Sequence, residues 1–284
     1  MSSHPRIALF ICDTPIPSVL AEDGDYEKIF NTLLHESRSD IQYTLDPYLV
    51  RKEDSEPEYP ENVDKYDAII ITGSAASAYE NLDWINLLVG YIADVAQTKP
   101  NIKLIAEAMS WDDVKGICFG HQIIARALGS PCVPNGGKWE VGITEVQLTE
   151  IGRQLFEDMT TITRFDLKNI QQMHRDHNPE IPESCHHLGS TAVCKNQGFI
   201  RYKPSSQHTP GSPINYGDIQ IFTVQGHPEF TKRIVTKIVT ARSGTGVIDK
   251  ITAEDATRRA DWRNDGVSVL GKVIWKIIAP ALAA

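Results

Sequence analysis

Nowhere in the 284 residues do 18 apolar residues follow one another. The chain therefore offers no candidate transmembrane helix, and no membrane partner is expected. Basic residues are in deficit: 28 Lys and Arg stand against 37 Asp and Glu, a formal net charge of −9. That balance, with no Lys/Arg-rich stripe, argues against a general nucleic-acid binder. Cysteine is sparse and irregular, at Cys12, Cys118, Cys132, Cys185 and Cys194. An odd, scattered set fits a reduced cytoplasmic setting better than a disulfide framework. Met1 to Pro5 is short and polar and leads straight into an apolar run, unlike a signal peptide. No complete Gly-x-x-x-x-Gly-Lys-Ser/Thr phosphate cradle, internal repeat or low-complexity segment occurs. His174, His177, Cys185, His186 and His187 are ligand types, but no pair among them has zinc-motif spacing. No metal is expected, and His186 and His187 are expected on a loop.

What is present is an alternation of strand and helix. Ile7 to Cys12 is a continuous apolar run of the kind buried on both faces of a sheet. Tyr26 to His35 follows at helical spacing, with Tyr26, Ile29, Phe30, Leu33 and Leu34 on one face. Ile41 to Tyr48 reads as a second strand and Arg51 to Pro60 as a charged, Pro-containing surface loop. Ala68 to Ile71 is a buried strand stopping at Thr72-Gly73-Ser74. Trp84 to Val95 is helical, Lys115 to Cys118 a short strand, and Gln122 to Leu128 the next helix. This order predicts a three-layer α/β/α domain with a mostly parallel central sheet. Beyond it, Gly142 to Leu148 alternates as a strand does, Leu188 to Tyr202 holds strand-like pieces, and Gln207 to Gly217 reads as a loop. Ile219 to Val224 is a strand, Phe230 to Ala241 a helix, and Ala253 to Leu282 one or two more. One domain over 1–284 is expected, with its core about 6–242 and a C-terminal helical extension about 250–284.

Two motifs carry chemistry. Gly116-Ile117-Cys118-Phe119-Gly120-His121-Gln122 sets a cysteine between small residues, after an apolar run and before a helical one. A helix N-terminus there supplies free N–H groups and a positive dipole end, which favour a thiolate and a developing oxyanion. Gln225-Gly226-His227-Pro228-Glu229 ends a second apolar strand with an imidazole and a carboxylate. Alone, Cys118 is compatible with a plain core cysteine, and His227-Pro228-Glu229 with a surface loop. Together, on strands whose carboxyl ends converge, they form a set for acyl transfer: Cys118 the nucleophile, His227 its base, Glu229 orienting the ring. The N–H groups of Phe119 and of Gly73 or Ser74 are the candidate oxyanion donors.

These two motifs, with Thr72-Gly73-Ser74 and Met173-His174-Arg175-Asp176-His177, resemble the class I (triad, Cys-His-Glu) glutamine amidotransferase family. The resemblance runs from about Ile7 to Arg242, and the spacing of 109 positions between Cys118 and His227 suits it. Within the family the chain looks most like the stand-alone branch related to the glutaminase part of GMP synthase, to which γ-glutamyl peptidases also belong. The resemblance implies a flavodoxin-like fold, catalytic Cys118, His227 and Glu229, and an oxyanion hole of Gly73 and Phe119. It also implies substrate contacts by Ser74, Gln122 and His174, with His174 and Asp176 supporting the rim. The implied reaction is hydrolysis of a γ-glutamyl amide, glutamine or a γ-glutamyl peptide such as glutathione, through a Cys118 thioester. Both steps are acyl transfer, so no cofactor is implied. A separate ammonia-accepting synthetase is an implied partner. A non-catalytic binding protein on the same fold is the alternative of another class. The family often has Gly-Gly-Pro at the oxyanion loop. Here Gly73 is followed by Ser74 and Ala75, so no proline stiffens it.

Overall fold

A computed structural model describes residues 4–52, 55–106, 119–156, 167–209 and 211–282. In chain order these contain β1 (Arg6–Ile11), α1 (Pro17–Glu22), α2 (Tyr26–Ser37), β2 (Thr44–Leu49), β3 (Ala68–Ile71), α3 (Asp83–Thr98) and β4 (Lys103–Ala106). Then come α4 (Phe119–Ala127), β5 (Val133–Pro134), β6 (Glu140–Leu148), α5 (Glu150–Phe156), β7 (Leu167–His174), β8 (Asp176–His177), β9 (His186–His187) and β10 (Gly189–Ser190). The last are β11 (Gly198–Tyr202), β12 (Ile219–Val224), α6 (Lys232–Gly244), α7 (Lys250–Arg258), a π-helical turn Gly266–Gly271 and α8 (Lys272–Ile278). None of the described helices is long and apolar enough to cross a membrane.

The main sheet has seven strands in the order β2-β1-β3-β4-β12-β11-β9. β2, β1, β3, β4 and β12 are parallel, and β11 and β9 add an antiparallel edge. Burial on both faces follows directly from the strand sequences. In β1, Ile7, Leu9 and Ile11 join one core with α2, α6 and α8. Ala8 and Phe10, with the following Cys12, join the other core with α3 and α4. β3 splits the same way, Ala68 and Ile70 against Ile69 and Ile71. The arrangement is the mostly parallel three-layer α/β sheet that the alternation predicts.

Local signals place the helices. Asp25 caps α2 by accepting from the Lys28 N–H, and Thr231 caps α6 by accepting from the Ile234 N–H. The C-terminal segment enters the core. Trp275 of α8 is fully buried, and its indole N–H donates to the Leu34 carbonyl at 2.9 Å.

One reading of the sequence needs amendment, one lies outside the described residues, and two strands are unexpected. The strand expected over Lys115 to Cys118 lies outside the described residues, and the position between β3 and β12 is filled by β4, Lys103–Ala106. A lysine inside four residues hides that strand; Lys103 is buried and its ammonium donates to the Gly217 and Ile219 carbonyls. β7 is also unexpected, because Gln171, Gln172 and His174 make it polar although all three are buried. His186 and His187, expected on a loop, form edge strand β9 paired with β11.

Candidate active site

Because β1, β3, β4 and β12 run in parallel, their carboxyl ends open onto one edge of the sheet, where α/β folds place their sites. Asp13 follows β1 there, Thr72 to Ser77 follow β3, and Gln225 to Glu229 follow β12. The start of α4 is tied to the same edge. Near the exit of β12, His121 Nδ1 lies 2.9 Å from Thr223 Oγ1 and the Gln122 amide lies 3.5 Å from Gln225 Oε1. Cys118, directly before α4 in the chain, lies outside the described residues.

A small antiparallel sheet, β10-β6-β7, crosses this edge and grips the strand exit. The His227 N–H donates to the Gln171 carbonyl of β7 at 2.8 Å. Gly226 makes that approach feasible, since a Cβ there would stand 2.7 Å from Ile170 Cγ2. The His227 ring is fully buried, with Nδ1 3.1 Å from Glu229 Oε1. Phe230 stacks on it at 4.2 Å between centroids and 9° between planes. Burial first, then the neighbouring His174 ring, disfavours the His227 imidazolium and holds it well below its ordinary range, while the Met173 backbone acts the other way. At neutral pH the ring is therefore neutral and able to accept a proton.

Behind His227 lies a second buried histidine–carboxylate pair. His174 Nε2 is 2.8 Å from Glu140 Oε2, a close contact without the aim of a good hydrogen bond. Glu140 also accepts from Thr191 Oγ1 at 2.6 Å and from the Gln197 amide at 2.8 Å. Burial raises the Glu140 carboxyl, but His174 and these donors together outweigh it and leave it below the usual carboxylate range. Among the described residues, Glu140, His174 and Cys194 are the one group able to hold a metal ion, with ligand atoms within 4.8 Å of one another. Their donor set fits a closed hydrogen-bond network better than an ion. The Cys194 thiol donates to the Asn196 carbonyl at 3.2 Å, and burial pushes it up to about 12, against the thiolate a metal needs.

The loop after β3 is braced at both ends. Thr72 Oγ1 accepts from the Cys12 N–H at 3.0 Å. Asp13 Oδ2 accepts from the Ala75 N–H at 2.6 Å and from Ser74 Oγ at 3.3 Å. Further on, Ser77 Oγ donates to Asp176 Oδ2 at 2.8 Å, and Arg126 of α4 donates to the Ala78 carbonyl at 2.7 Å. Between the braces, the buried N–H groups of Gly73 and Ser74 make no hydrogen bond to any described residue.

The expected site residues therefore separate. His227 and Glu229 meet, and Gly73 and Ser74 offer backbone donors at the same edge. Gln122 is buried. Its amide donates to the Asp176 carbonyl at 2.9 Å, and its Oε1 accepts from the Cys132 thiol at 3.3 Å. His174 is fully buried against Glu140 and the Asp176 carbonyl. Both stand in the wall behind the site in this structure. Asp13 and Glu140 emerge from the structure as further members of the site's surroundings, while Asp176, expected at the rim, is buried beneath the loop after β3. Asp13 carries a sequence signal, a carboxylate placed directly after a doubly buried strand; Glu140 carries none.

The fold is a mostly parallel α/β sheet with a histidine–glutamate pair at the exit of β12. The chain belongs to the glutamine amidotransferase class-I family, whose profile matches residues 25–240. A glutamine amidotransferase-like protein of Schizosaccharomyces pombe is 35% identical over 261 residues, 90% of this chain and 92% of that one. Gamma-glutamyl peptidase 3 of Arabidopsis thaliana is 28% identical, covering 82% of this chain and 80% of its own length. A solved glutamine amidotransferase structure from Thermotoga maritima shares the fold, with a TM-score of 0.63 at 16% identity over 97% of this chain and 99% of that one.

Proposed function

We propose that the chain hydrolyses a γ-glutamyl amide through a thioester on Cys118. His227 takes the Cys118 proton, and the thiolate attacks the γ-carbonyl carbon. The oxygen that gains charge receives the N–H of Gly73 and that of Phe119, with Ser74 beside them. The imidazolium then protonates the departing amine as the C–N bond breaks. In the second half His227 takes a proton from water, which attacks the thioester and releases glutamate and Cys118. Glu229 stays ionised throughout, fixing the ring tautomer and stabilising its charged form. Gln122 and His174 shape the wall on which the glutamyl group rests. Neither half-reaction needs a metal or an organic cofactor.

The observation that carries this reading is the buried His227–Glu229 pair, stacked under Phe230 and sharing its sheet edge with two loop N–H groups that no described residue accepts. Glutamine is the first substrate to consider, with ammonia passed to a separate synthetase. Hydrolysis of a γ-glutamyl peptide such as glutathione is the second reading, supported by the braced loop and by the relative named as a γ-glutamyl peptidase. Steady-state hydrolysis of glutamine and of glutathione by the purified chain separates them. Fast glutathione turnover with negligible glutaminase activity selects the peptidase. No turnover of either, with an unreactive Cys118, selects a binding protein on this fold.

A further inference from the structure

The loop that carries Gly73 lacks proline, yet it is not left to its own flexibility. Asp13, with a side chain only 10% exposed, holds the Ala75 N–H and the Ser74 hydroxyl on one oxygen. Its other oxygen lies 3.0 Å from the guanidinium of Arg51, which follows β2 on the same sheet edge. The Arg51 guanidinium carbon in turn stands 5.9 Å from the centre of the Trp84 ring, within cation–π range. Trp84 is half-buried and stacks on Phe119 at 5.1 Å and 27°. Phe119 is the first residue of α4 and is fully buried. The contacts thus run unbroken from the loop after β3 to the start of α4, the two places that contribute the proposed oxyanion donors. Tying the Ala75 N–H to Asp13 also fixes the peptide next to Ser74. A flip of the Ser74–Ala75 peptide would have to break that hydrogen bond and leave a buried carboxylate with fewer donors.

We infer that Asp13, Arg51 and Trp84 form a positioning chain that holds both halves of the oxyanion hole in place before any partner binds. Resting on the Cys118 reading above, this makes the isolated chain a self-sufficient γ-glutamyl hydrolase. None of the three residues touches the reacting atoms; each acts through Ala75 or Phe119.

The experiment uses the full chain alone, with glutamine and glutathione as substrates and the chloroketone analogue of glutamine as a label for Cys118. Wild type is expected to turn over at least one substrate unaided. Asp13→Ala should lower kcat about 100-fold, the scale of losing one oxyanion donor, with KM changed less than about threefold. Asp13→Asn, which can still accept from the Ala75 N–H, should recover about tenfold of that loss. Trp84→Phe should retain most activity and Trp84→Ala should not. A variant that melts earlier but keeps wild-type kcat assigns Asp13 to stability alone and overturns the inference. Wild type that is labelled at Cys118 yet hydrolyses neither substrate also overturns it, because the hole then needs a partner, while the hydrolase reading stands. Wild type that is neither labelled nor active overturns both.

Discussion

Replacing Glu229 by glutamine removes one charge from the His227 pair and changes almost no volume. The two side chains are fully buried and 3.1 Å apart, so no solvent substitutes for the lost carboxylate. The ground state holds a neutral ring, because burial keeps the imidazolium unfavourable. The carboxylate therefore matters most when the ring carries the Cys118 proton in the transition state. A hydrogen bond to a charged group is worth about 1.5–3 kcal/mol, which corresponds to roughly a 10- to 150-fold loss in rate. The introduced amide can also turn its NH2 toward Nδ1 and favour the wrong tautomer, so the upper part of that range is expected. The loss should fall on kcat with KM little changed, since the interaction strengthens only as charge develops. Steady-state hydrolysis of the better of the two substrates reads this directly, with a thermal melt confirming the fold. His227→Ala should cost far more than Glu229→Ala, because proton transfer is lost rather than misaligned. Glu229→Gln with kcat within about twofold of wild type would refute the assignment, as that is too small for a buried charged hydrogen bond.

Acid stability follows from the buried histidines. Burial pushes His121 down to about 3 and His227 well below the ordinary histidine value of 6.5. Both bind fewer protons folded than unfolded, so their contribution is whole above about pH 6.5 and is lost as pH falls below it, that of His121 down to about 3, by up to about 1.4 kcal/mol per unit for each. Urea midpoints from about pH 7 to about pH 4 should fall steadily; a flat profile, or one no shallower in His121→Asn, contradicts this. Gly226→Ala places a Cβ 2.7 Å from Ile170 Cγ2 and should cost about 1–3 kcal/mol by overpacking. Removing the facing carbons with Ile170→Ala should relieve the clash, so the two changes together should cost less than their sum; additive effects would contradict the close approach of β7 to the strand exit.

The strands that build the sheet centre are legible because burial on both faces leaves a short, uninterrupted apolar run. Ala68–Ile71 and Ile219–Val224 are such runs, and their observed bounds equal the expected ones. β4 escapes because Lys103 breaks the apolar signal, and its ammonium is satisfied by carbonyls far along the chain. β7 escapes for a related reason: its buried glutamines and histidine are polar in sequence and are matched by distant partners. Gln172 is one case, its amide donating to Gln197 at 2.9 Å. The pairing of His227 with Glu229 is readable because the two residues lie two positions apart, a separation a turn can close. The brace on the loop after β3 is not, because Asp13, Arg51 and Trp84 come from three separate strand exits and loops. Only the parallel register of β2, β1 and β3 brings Asp13 and Arg51 to the loop.

The central claim is that Cys118 is the nucleophile and that His227 activates it. The most direct test is intact-mass measurement of the purified chain after exposure to the chloroketone analogue of glutamine, with the modified residue located by peptide mapping. One adduct per chain is predicted, on Cys118. It should form slowly in His227→Ala and not at all in Cys118→Ala, with Cys12, Cys132, Cys185 and Cys194 unmodified. An adduct on any other cysteine, or equal labelling of wild type and His227→Ala, would contradict the account.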